Sequence, residues 1–183
     1  MSDDGLERCA GEHRDRRFGR RVDVHRTASS TQDLAKLAYA ELGAASDGLV
    51  VTTHEQTSGR GTRGRRWWSP PGAGLALSLV VVPHRALDRP ACVTQLAALG
   101  VVRAASAYGG VLRVRWPNDV VDADGAKVAG ILAETLDGGR AHVIGIGVNV
   151  LVPNTPPPEE LRELAGAVLA LELVDIEQIA PAR

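Results

Sequence analysis

VAGILAETLDGGRAHVIGIGVNV, residues 128–150, is the stretch that decides the fold. Two runs rich in apolar and β-branched residues, 128–135 and 142–150, flank an acid-glycine-glycine sequence at 137–139. Turns of this composition between two such runs are typical of a β-hairpin. The stretch therefore predicts two adjacent antiparallel strands, and the rest of the chain must supply partners for their outer edges.

Four further strands are predicted before this hairpin. Each is a short apolar or β-branched run, and the last one ends where Pro117 removes a backbone donor. The run at 75–82 is apolar almost throughout, which is typical of a strand buried on both faces. Strands that alternate with helices in this way predict an α/β or α+β domain with a mixed, mostly antiparallel sheet. The four strands are predicted at 22–25, 49–53, 75–82 and 112–116.

Helices are predicted between these strands and after the hairpin. Ser30 suits the N-cap of a helix that ends near Gly43, and Asp88 suits the N-cap of a helix that ends at Gly109. Three prolines at 156–158 precede a third helix. The apolar faces are predicted to be Leu34, Leu37, Ala38 and Leu42 in the first helix, Leu96, Leu99, Val102 and Ala105 in the second, and Leu161, Leu164, Val168 and Leu169 in the third.

Composition limits the class of protein. The chain has 183 residues, of which 44% are hydrophobic and 23% charged, as in an ordinary globular domain. Its net charge of −1 disfavours general nucleic-acid binding, and Cys9 and Cys92 fit neither a disulfide framework nor a zinc motif. No apolar run approaches the roughly 18 residues that cross a bilayer. The charged N-terminus lacks the apolar core of a secretory signal, so we expect residues 1–20 to be a mobile leader and the protein to be cytoplasmic.

A basic, glycine-rich segment follows the second predicted strand. It reads QTSGRGTRGRRWW, residues 56–68, and holds four arginines and three glycines between 59 and 66. Glycine lets backbone amides turn towards an anion, and arginine supplies planar donors for carboxylate or phosphate. No acidic residue between 56 and 87 neutralises this charge. The segment predicts an anion-binding loop, but a solvated basic turn, or an RNA patch in which Trp67 and Trp68 stack on bases, is equally open.

Two more segments carry candidate chemistry. In the first, RWPND at 115–119 closes a strand, and Lys127 then begins an apolar one, where it can neutralise charge on a transferring phosphoryl group. Spacing alone favours a plainer interpretation, a hairpin turned at 124–125 with a lysine whose charged end reaches solvent. In the second, glycines alternate in GIGVNV at 145–150, which indicates that a ligand or another strand packs close to the backbone.

Taken together and in order, the motifs resemble those of the biotin protein ligases. The order is STQ at 30–32, then GRGTRGRRWWSPPGAGLALSL, RWPNDVV with KVAGILAE, and GIGVNV, within about residues 25–150. The resemblance implies a mixed sheet flanked by helices, shared with lipoate ligases and related to class II aminoacyl-tRNA synthetases. It also implies two chemical steps. The carboxylate of biotin attacks the α-phosphorus of MgATP to give biotinyl-5′-AMP and pyrophosphate, and a lysine of a carboxylase's biotin carrier domain then takes the biotin and releases AMP.

The resemblance implies a role for each motif residue. Lys127 and Arg60 correspond to the catalytic cations, and Arg60 is expected to pair with the reacting carboxylate and phosphate. Asp119 is expected to help hold the metal or to orient its neighbours, with no other metal ligand assigned, and Trp116 to form apolar wall. Biotin is expected to contact Ser30, Thr31, Gln32, Gln56, Arg60, Gly61, Thr62 and Lys127, and ATP or the adenylate is expected to contact Arg63, Arg65, Trp67, Asn118 and Asn149.

The chain departs from the family pattern in several places. Thr62 stands where the loop usually has an arginine, for which Arg63 can compensate, and Arg115 stands where a lysine is usual. Family members normally continue into a small β-barrel, so we expect 21–183 to be the catalytic domain without that barrel. The apolar surface left open would favour a homodimer. No helix-turn-helix is recognised before the domain, so the resemblance implies no repressor function and neither a DNA nor a membrane partner.

Two other functions remain open. A lipoate or octanoyl ligase has the same fold, although the GRGTRGR loop and the WPND motif favour biotin. A shortened paralogue that binds biotin or its adenylate without transferring it is compatible with Thr62 and the short C-terminus. Neither the acceptor carboxylase nor the oligomeric state follows from the sequence.

Overall fold

The computed structural model describes residues 17–84, 91–150 and 159. The predicted third helix, Asp88 and most of the predicted leader lie outside these residues. The described part contains two α-helices, α1 (Thr31–Leu42) and α2 (Ala91–Ser106). Its strands are β1 (Val22–Ala28), β2 (Val50–Gln56), β3 (Gly74–Val81), β4 (Arg113–Arg115), β5 (Asp119–Val121), β6 (Lys127–Leu136) and β7 (Ala141–Asn149).

One sheet joins all the strands of the described residues, in the order β1-β2-β3-β7-β6-β5-β4. Only β1 and β2 run parallel; every other neighbouring pair is antiparallel. The α+β fold with a mixed, mostly antiparallel sheet is therefore confirmed. Its centre is the predicted hairpin of β6 and β7, whose turn has Gly138 and Gly139 at φ 62° and 97°, values that glycine adopts without strain.

The sheet has one strand, β5, that only the hairpin with a turn at 124–125 implied and for which no bounds were predicted. β5 is three residues long, too short to show a periodicity of its own, and it pairs with both β4 and β6. The turn from β5 into β6 is closed by the Asp122 carboxylate, which accepts a hydrogen bond of 2.8 Å from the Ala126 amide. Gly125 has φ 86° in the same turn. The hairpin with a turn at 124–125 that spacing favoured is thus present.

The core-facing side of α1 differs in part from the prediction. Ala35 is fully buried, and Leu34, Ala38 and Tyr39 pack against the same cluster. Leu37 and Leu42 are 59% and 39% exposed, so their placement in the core was wrong. With about 100° between successive residues, Leu37 lies roughly 200° around the helix from Ala35. The face that meets the sheet is therefore centred on small and polar residues, which hydrophobicity does not identify.

The same error occurs in α2, where apolar residues occupy every side of the helix. Val93 and Ala98 are buried, and Val102 packs against them as predicted. Leu96 and Leu99 are 67% and 42% exposed, so their predicted burial was wrong. A helix that is apolar all round has no single stripe that the sequence can assign to the core.

The sheet lies between two apolar clusters, one on each face. Val143 belongs to the cluster under α1, and its neighbour Ile144 belongs to the cluster under α2. Side chains alternate along a strand, so Gly145, Gly147 and Asn149 share the α1 face with Val143. This face also carries the polar motifs described below.

The first described residues contact the domain. Arg17, in the predicted leader, donates a hydrogen bond of 2.8 Å to the Asp47 carboxylate and one of 3.2 Å to the Val82 carbonyl. The Gly19 amide donates to the Gly48 carbonyl at 2.9 Å. None of the helices within residues 17–84 and 91–150 is long and apolar enough to span a bilayer.

One buried titratable group makes a testable contribution to stability. His142 is 1% exposed, and only its Nδ1 has a hydrogen-bond partner among the described residues, the Thr135 hydroxyl at 3.2 Å. Burial lowers the pKa of this imidazole, so the native state keeps it neutral. In the unfolded chain, the imidazole of His142 binds a proton below a pKa of about 6.5. Stability from His142 is therefore fully present above that pH and is lost as the pH falls towards the lower folded-state pKa.

We expect His142→Gln to flatten this pH dependence. Urea unfolding at about pH 7.5 and about pH 5.5, on either side of the unfolded-state pKa, should show a smaller loss of stability in the variant than in the parent. His84→Gln, at an exposed histidine, is the matched control and should keep the parental slope. An equal slope in His142→Gln and the parent would contradict the assignment.

Candidate active site

The floor of the candidate site is a patch of small residues on the α1 face of β3, β6 and β7. Across the antiparallel β3–β7 pair, Gly74 lies opposite Asn149, Ala76 opposite Gly147, and Ser78 opposite Gly145. Directly opposed residues share a face of the sheet, so these six line one side. Gly130 of β6 adjoins Gly147. The alternating glycines noted in the sequence therefore leave a shallow, open surface in the middle of the sheet.

Polar side chains close the floor at its Gly145 end. Gln32 donates from Nε2 to the Val143 carbonyl at 3.0 Å and accepts at Oε1 from the Ser78 hydroxyl at 3.1 Å. Its Oε1 would lie 2.6 Å from a Cβ at position 145, so only glycine permits this approach. Gln32 is 3% exposed, and its side-chain amide makes its hydrogen bonds with other protein groups.

Thr31 connects this network to Gln56 of β2. The Gln56 Oε1 accepts a hydrogen bond of 3.0 Å from the Thr31 amide and one of 3.3 Å from its hydroxyl. The Thr31 hydroxyl also lies 2.9 Å from that of Ser78. Ser30 occupies the N-cap of α1 as predicted, without a side-chain cap hydrogen bond, and is 1% exposed. Thr31, Gln32 and Gln56 are therefore joined through Ser78 in one polar network, beside the buried Ser30.

The basic segment folds into a narrow loop above this floor. The Trp67 amide donates to the Gly59 carbonyl and the Gly61 amide to the Arg65 carbonyl, both at 2.8 Å. Arg60 and Arg66 form an isolated antiparallel bridge between these hydrogen bonds. The loop is thereby held as a small hairpin rather than an extended chain.

Trp67 lies directly on the glycine floor. A Cβ at Gly147 would overlap its indole, and a Cβ at Gly130 would come within 3.0 Å of it. The Lys127 ammonium is 5.6 Å from the centre of the ring, a cation–π distance. Gly130 and Gly147, which belong to two separate motifs, thus leave room for the Trp67 ring of a third motif.

Arg63 and Arg65 point to different places, although they are two residues apart. Arg65 donates to the Thr62 carbonyl at 3.3 Å and to the Thr62 hydroxyl at 3.1 Å, and its side chain lines the cavity. Arg63 has φ 60°, is exposed and does not line the cavity. Arg65, rather than Arg63, therefore places its guanidinium beside Thr62.

Arg60 contacts carboxylates of the scaffold. One guanidinium nitrogen lies 2.9 Å from Asp33 and 2.9 Å from Glu134. A reacting carboxylate or phosphate would have to share this guanidinium with two protein carboxylates. Arg60 also lines the cavity, so its predicted contact with a ligand stays a prediction.

The WPND motif brings a second ion-pair group to the cavity. The Lys127 ammonium lies 2.7 Å from Asp119, which also accepts a hydrogen bond of 2.9 Å from Arg115. Burial alone would raise the pKa of the Asp119 carboxyl, but the hydrogen bonds and charges of Lys127 and Arg115 outweigh it and lower that pKa. Asp119 is therefore an anion in contact with Lys127 and Arg115, and both of its predicted roles stay predictions.

Two asparagines complete this end of the site. Asn118 donates from its side-chain amide to the Ile131 carbonyl at 3.2 Å, and Asn149 donates to the Lys127 carbonyl at 3.1 Å. The side-chain nitrogen of each asparagine thus donates to the backbone of β6. The side-chain oxygen of each makes no hydrogen bond to β6. Both residues line the cavity.

Together these residues enclose a single cavity of about 250 Å³. All the predicted contacts of biotin and the adenylate line it except Arg63. Trp116 does not line it and is 76% exposed, so its predicted place in the apolar wall was wrong. Trp116 directly follows β4, and β4 is the edge strand of the sheet that residues 17–84 and 91–150 form.

Ser78, Asp33 and Glu134 belong to the site but to none of the predicted contacts. Ser78 lies within an apolar run, where the alternation of β3 turns its hydroxyl towards Gln32. Asp33 and Glu134 resembled surface acids of a helix and a strand. Their common partner, Arg60, is about 30 and 70 residues away, so only the folded chain reveals the contact.

The described residues offer little to a metal ion. They include no group of three His, Cys, Asp or Glu side chains that could hold one. The Asp119 carboxylate is already paired with two cations.

Comparison with known proteins agrees with this geometry. The chain is 36% identical over 161 residues to the bifunctional ligase/repressor BirA of Bacillus subtilis, covering 81% of this chain and 48% of that protein. It is 39% identical over 158 residues to the biotin–[acetyl-CoA-carboxylase] ligase of Mycobacterium tuberculosis, covering 83% and 56%. The chain thus spans about half the length of these curated relatives.

A solved structure and a family profile extend the comparison. The biotin protein ligase of Aquifex aeolicus, in complex with biotin and ATP, superposes with a TM-score of 0.57 at 27% identity, over 81% of this chain and 62% of that one. The profile described as the biotin/lipoate A/B protein ligase family matches residues 24–150, which include both helices and every strand described above except the first two residues of β1. The chain belongs to the biotin/lipoate A/B protein ligase family.

Proposed function

We propose that the chain is an ATP-dependent biotin protein ligase. The observation that carries the proposal is one cavity with a buried polar group at its Gly145 end, a glycine floor under Trp67, and Lys127 with Asn149 beyond it. Along a strand, residues two apart are separated by about 6.8 Å, so the floor from Gly145 to Asn149 spans about 14 Å. The order of these groups matches an elongated molecule with a polar ring at one end and a carboxylate at the other, which would lie against the Trp67 indole rather than on Gly147 itself.

The proposed chemistry follows the order of groups along the floor. The ureido ring of biotin contacts Thr31 and Gln56, and its carboxylate reaches the Lys127 end. There it attacks the α-phosphorus of MgATP, forming a P–O bond as the bond to pyrophosphate breaks. Lys127 stabilises the negative charge on the phosphorus, as fixed cations do at transferring phosphoryl groups. In the second step the ε-amine of a carrier lysine attacks the acyl carbon, loses a proton, and AMP leaves.

The partners are part of the proposal rather than of the structure. The acceptor is a biotin carrier domain of a carboxylase, in keeping with the relative named biotin–[acetyl-CoA-carboxylase] ligase. Mg²⁺ enters as a component of the substrate MgATP. A homodimer, a cytoplasmic location and a catalytic domain at 21–183 stay predictions from the sequence.

Biotin-dependent release of pyrophosphate from ATP tests the first step directly. We expect release with biotin and none above background with lipoate or octanoate. Transfer to a carrier domain, followed by mass spectrometry of the carrier, tests the second step. Release with lipoate alone would identify a lipoate ligase. Biotin binding without any release would identify a protein that holds biotin without activating it.

The two loop arginines provide a matched pair of variants. We expect Arg65→Ala to raise the KM for ATP by about tenfold or more, the cost of one charged hydrogen bond. Arg63→Ala removes the same charge from the same loop outside the cavity, and it should change KM by less than about twofold, the usual scatter of remote sites. Steady-state pyrophosphate release measures both. Equal effects of the two variants would show that net loop charge matters and the position of Arg65 does not.

A further inference from the structure

Four charged side chains form a closed ring beside the cavity. The Arg60 guanidinium lies 2.9 Å from Asp33 and 2.9 Å from Glu134. The Lys36 ammonium completes the ring, at 3.2 Å from Asp33 and 3.4 Å from Glu134. Each carboxylate therefore bridges the two cations, and the four charges sum to zero.

Three members of the ring stand on the rigid scaffold. Asp33 and Lys36 lie in the first two turns of α1, and Glu134 lies in β6. Arg60 alone belongs to the glycine-rich loop. Their side chains are 27–43% exposed, a range in which an isolated ion pair adds little. Here one guanidinium nitrogen is shared by two carboxylates from two elements, so the ring constrains where the loop can go.

The constraint extends from Arg60 to Trp67. Arg60 bridges Arg66 across the loop, and the next hydrogen bond joins the Trp67 amide to Gly59. Moving Arg60 away from α1 and β6 would therefore pull on the segment that places the indole over Gly147. Asp33 directly follows the residues of α1 that enter the polar network, so the network and the ring share one helix.

We infer that Asp33, Lys36 and Glu134 are positioning residues that fasten Arg60, and through it hold Trp67 over the cavity. The kinetic consequence of this inference rests on the proposed function. The ion pairs that hold Arg60 do not depend on that function. It also differs from direct competition, in which the two carboxylates would occupy Arg60 and have to release it before a ligand carboxylate could bind.

Glu134→Gln tests the inference, because it keeps the shape and an acceptor oxygen but removes the charge. We expect kcat/KM for biotinyl-AMP formation to fall by about tenfold, mainly through KM, as for charged residues in direct contact. In an Arg60→Ala background the same substitution should cost less than about twofold, since its partner is gone. Glu41→Gln removes an acid from the exposed side of α1 and is the matched control, with parental kinetics expected.

Hydrogen exchange supplies a measurement that does not need catalysis. Amides of residues 59–67 should exchange about tenfold faster in Glu134→Gln than in the parent or in Glu41→Gln, while the amides of β6 and β7 keep their protection. A parent that makes no biotinyl-AMP but shows this exchange pattern would refute the proposed function and support the fastening. Unchanged loop exchange, equal or higher kcat/KM in Glu134→Gln, or the same loss in the Arg60→Ala background would each overturn the inference.

Discussion

Lys127→Ala should slow biotinyl-AMP formation by about 10²–10³-fold, the usual cost of losing a fixed charge at a reacting centre. Lys127 is the cation that the structure brings to the Asn149 end of the floor, 2.7 Å from Asp119 and over the Trp67 ring. The ammonium is thus oriented before any ligand arrives. Its removal leaves the Asp119 carboxylate paired with Arg115 alone, so the group loses its net positive charge beside the reacting phosphate.

Single-turnover formation of biotinyl-AMP with saturating biotin and ATP is the measurement. Arg140→Ala is a suitable control, because its exposed guanidinium makes an ion pair of 3.6 Å within the β6–β7 turn, away from the cavity residues. The thermal unfolding midpoint of both variants should stay near that of the parent. A Lys127→Ala enzyme that forms the adenylate within a few-fold of the parental rate would remove Lys127 from the catalytic role.

The central hairpin was the most predictable part of the fold. Its two strands carry long apolar runs, and the turn between them combines an acid with two glycines that adopt positive φ. Both signals are local, so the sequence contains them in full. The burial of helix faces is different, because it depends on which side meets the sheet. α1 turns Thr31, Gln32 and Ala35 inwards and leaves Leu37 exposed, the reverse of what hydrophobicity alone predicts.

In the candidate site, too, the local motifs were predictable and the contacts between distant residues were not. The motif order alone associated Gln56, Lys127 and Asn149, and the structure brings all three to one cavity. Contacts between residues far apart in the chain were not predictable. Asp119 resembled a metal ligand as readily as a partner for Lys127, and Glu134 carried no sign that it would meet Arg60. Such pairings depend on strand register and loop path, which no single motif encodes.

The glycines of the floor lead to the second large effect. Gly147→Ala should lower the rate of biotinyl-AMP formation by about 10²-fold, the penalty for misplacing reacting groups by roughly 1 Å. A Cβ at this position would overlap the Trp67 indole, which must then leave the floor. The added methyl points into the cavity and away from the β7 pairing with Ala76 and Gly130, so the sheet should form normally.

Gly100→Ala is the matched control, since a Cβ there meets nothing within 4 Å and Gly100 lies inside α2. Alanine in a helix interior is more favourable than glycine by up to about 1 kcal/mol, so this variant should be slightly stabilised and fully active. In Gly147→Ala the change should instead appear in the ligand-binding step. Calorimetry should show weakened biotin binding, and the tryptophan emission should shift as Trp67 moves into solvent. If Gly147→Ala keeps the parental biotin affinity and an unshifted tryptophan emission, the Trp67 ring and a methyl group can both lie on the floor. The close contact at Gly147 would then have no role in holding the ligand.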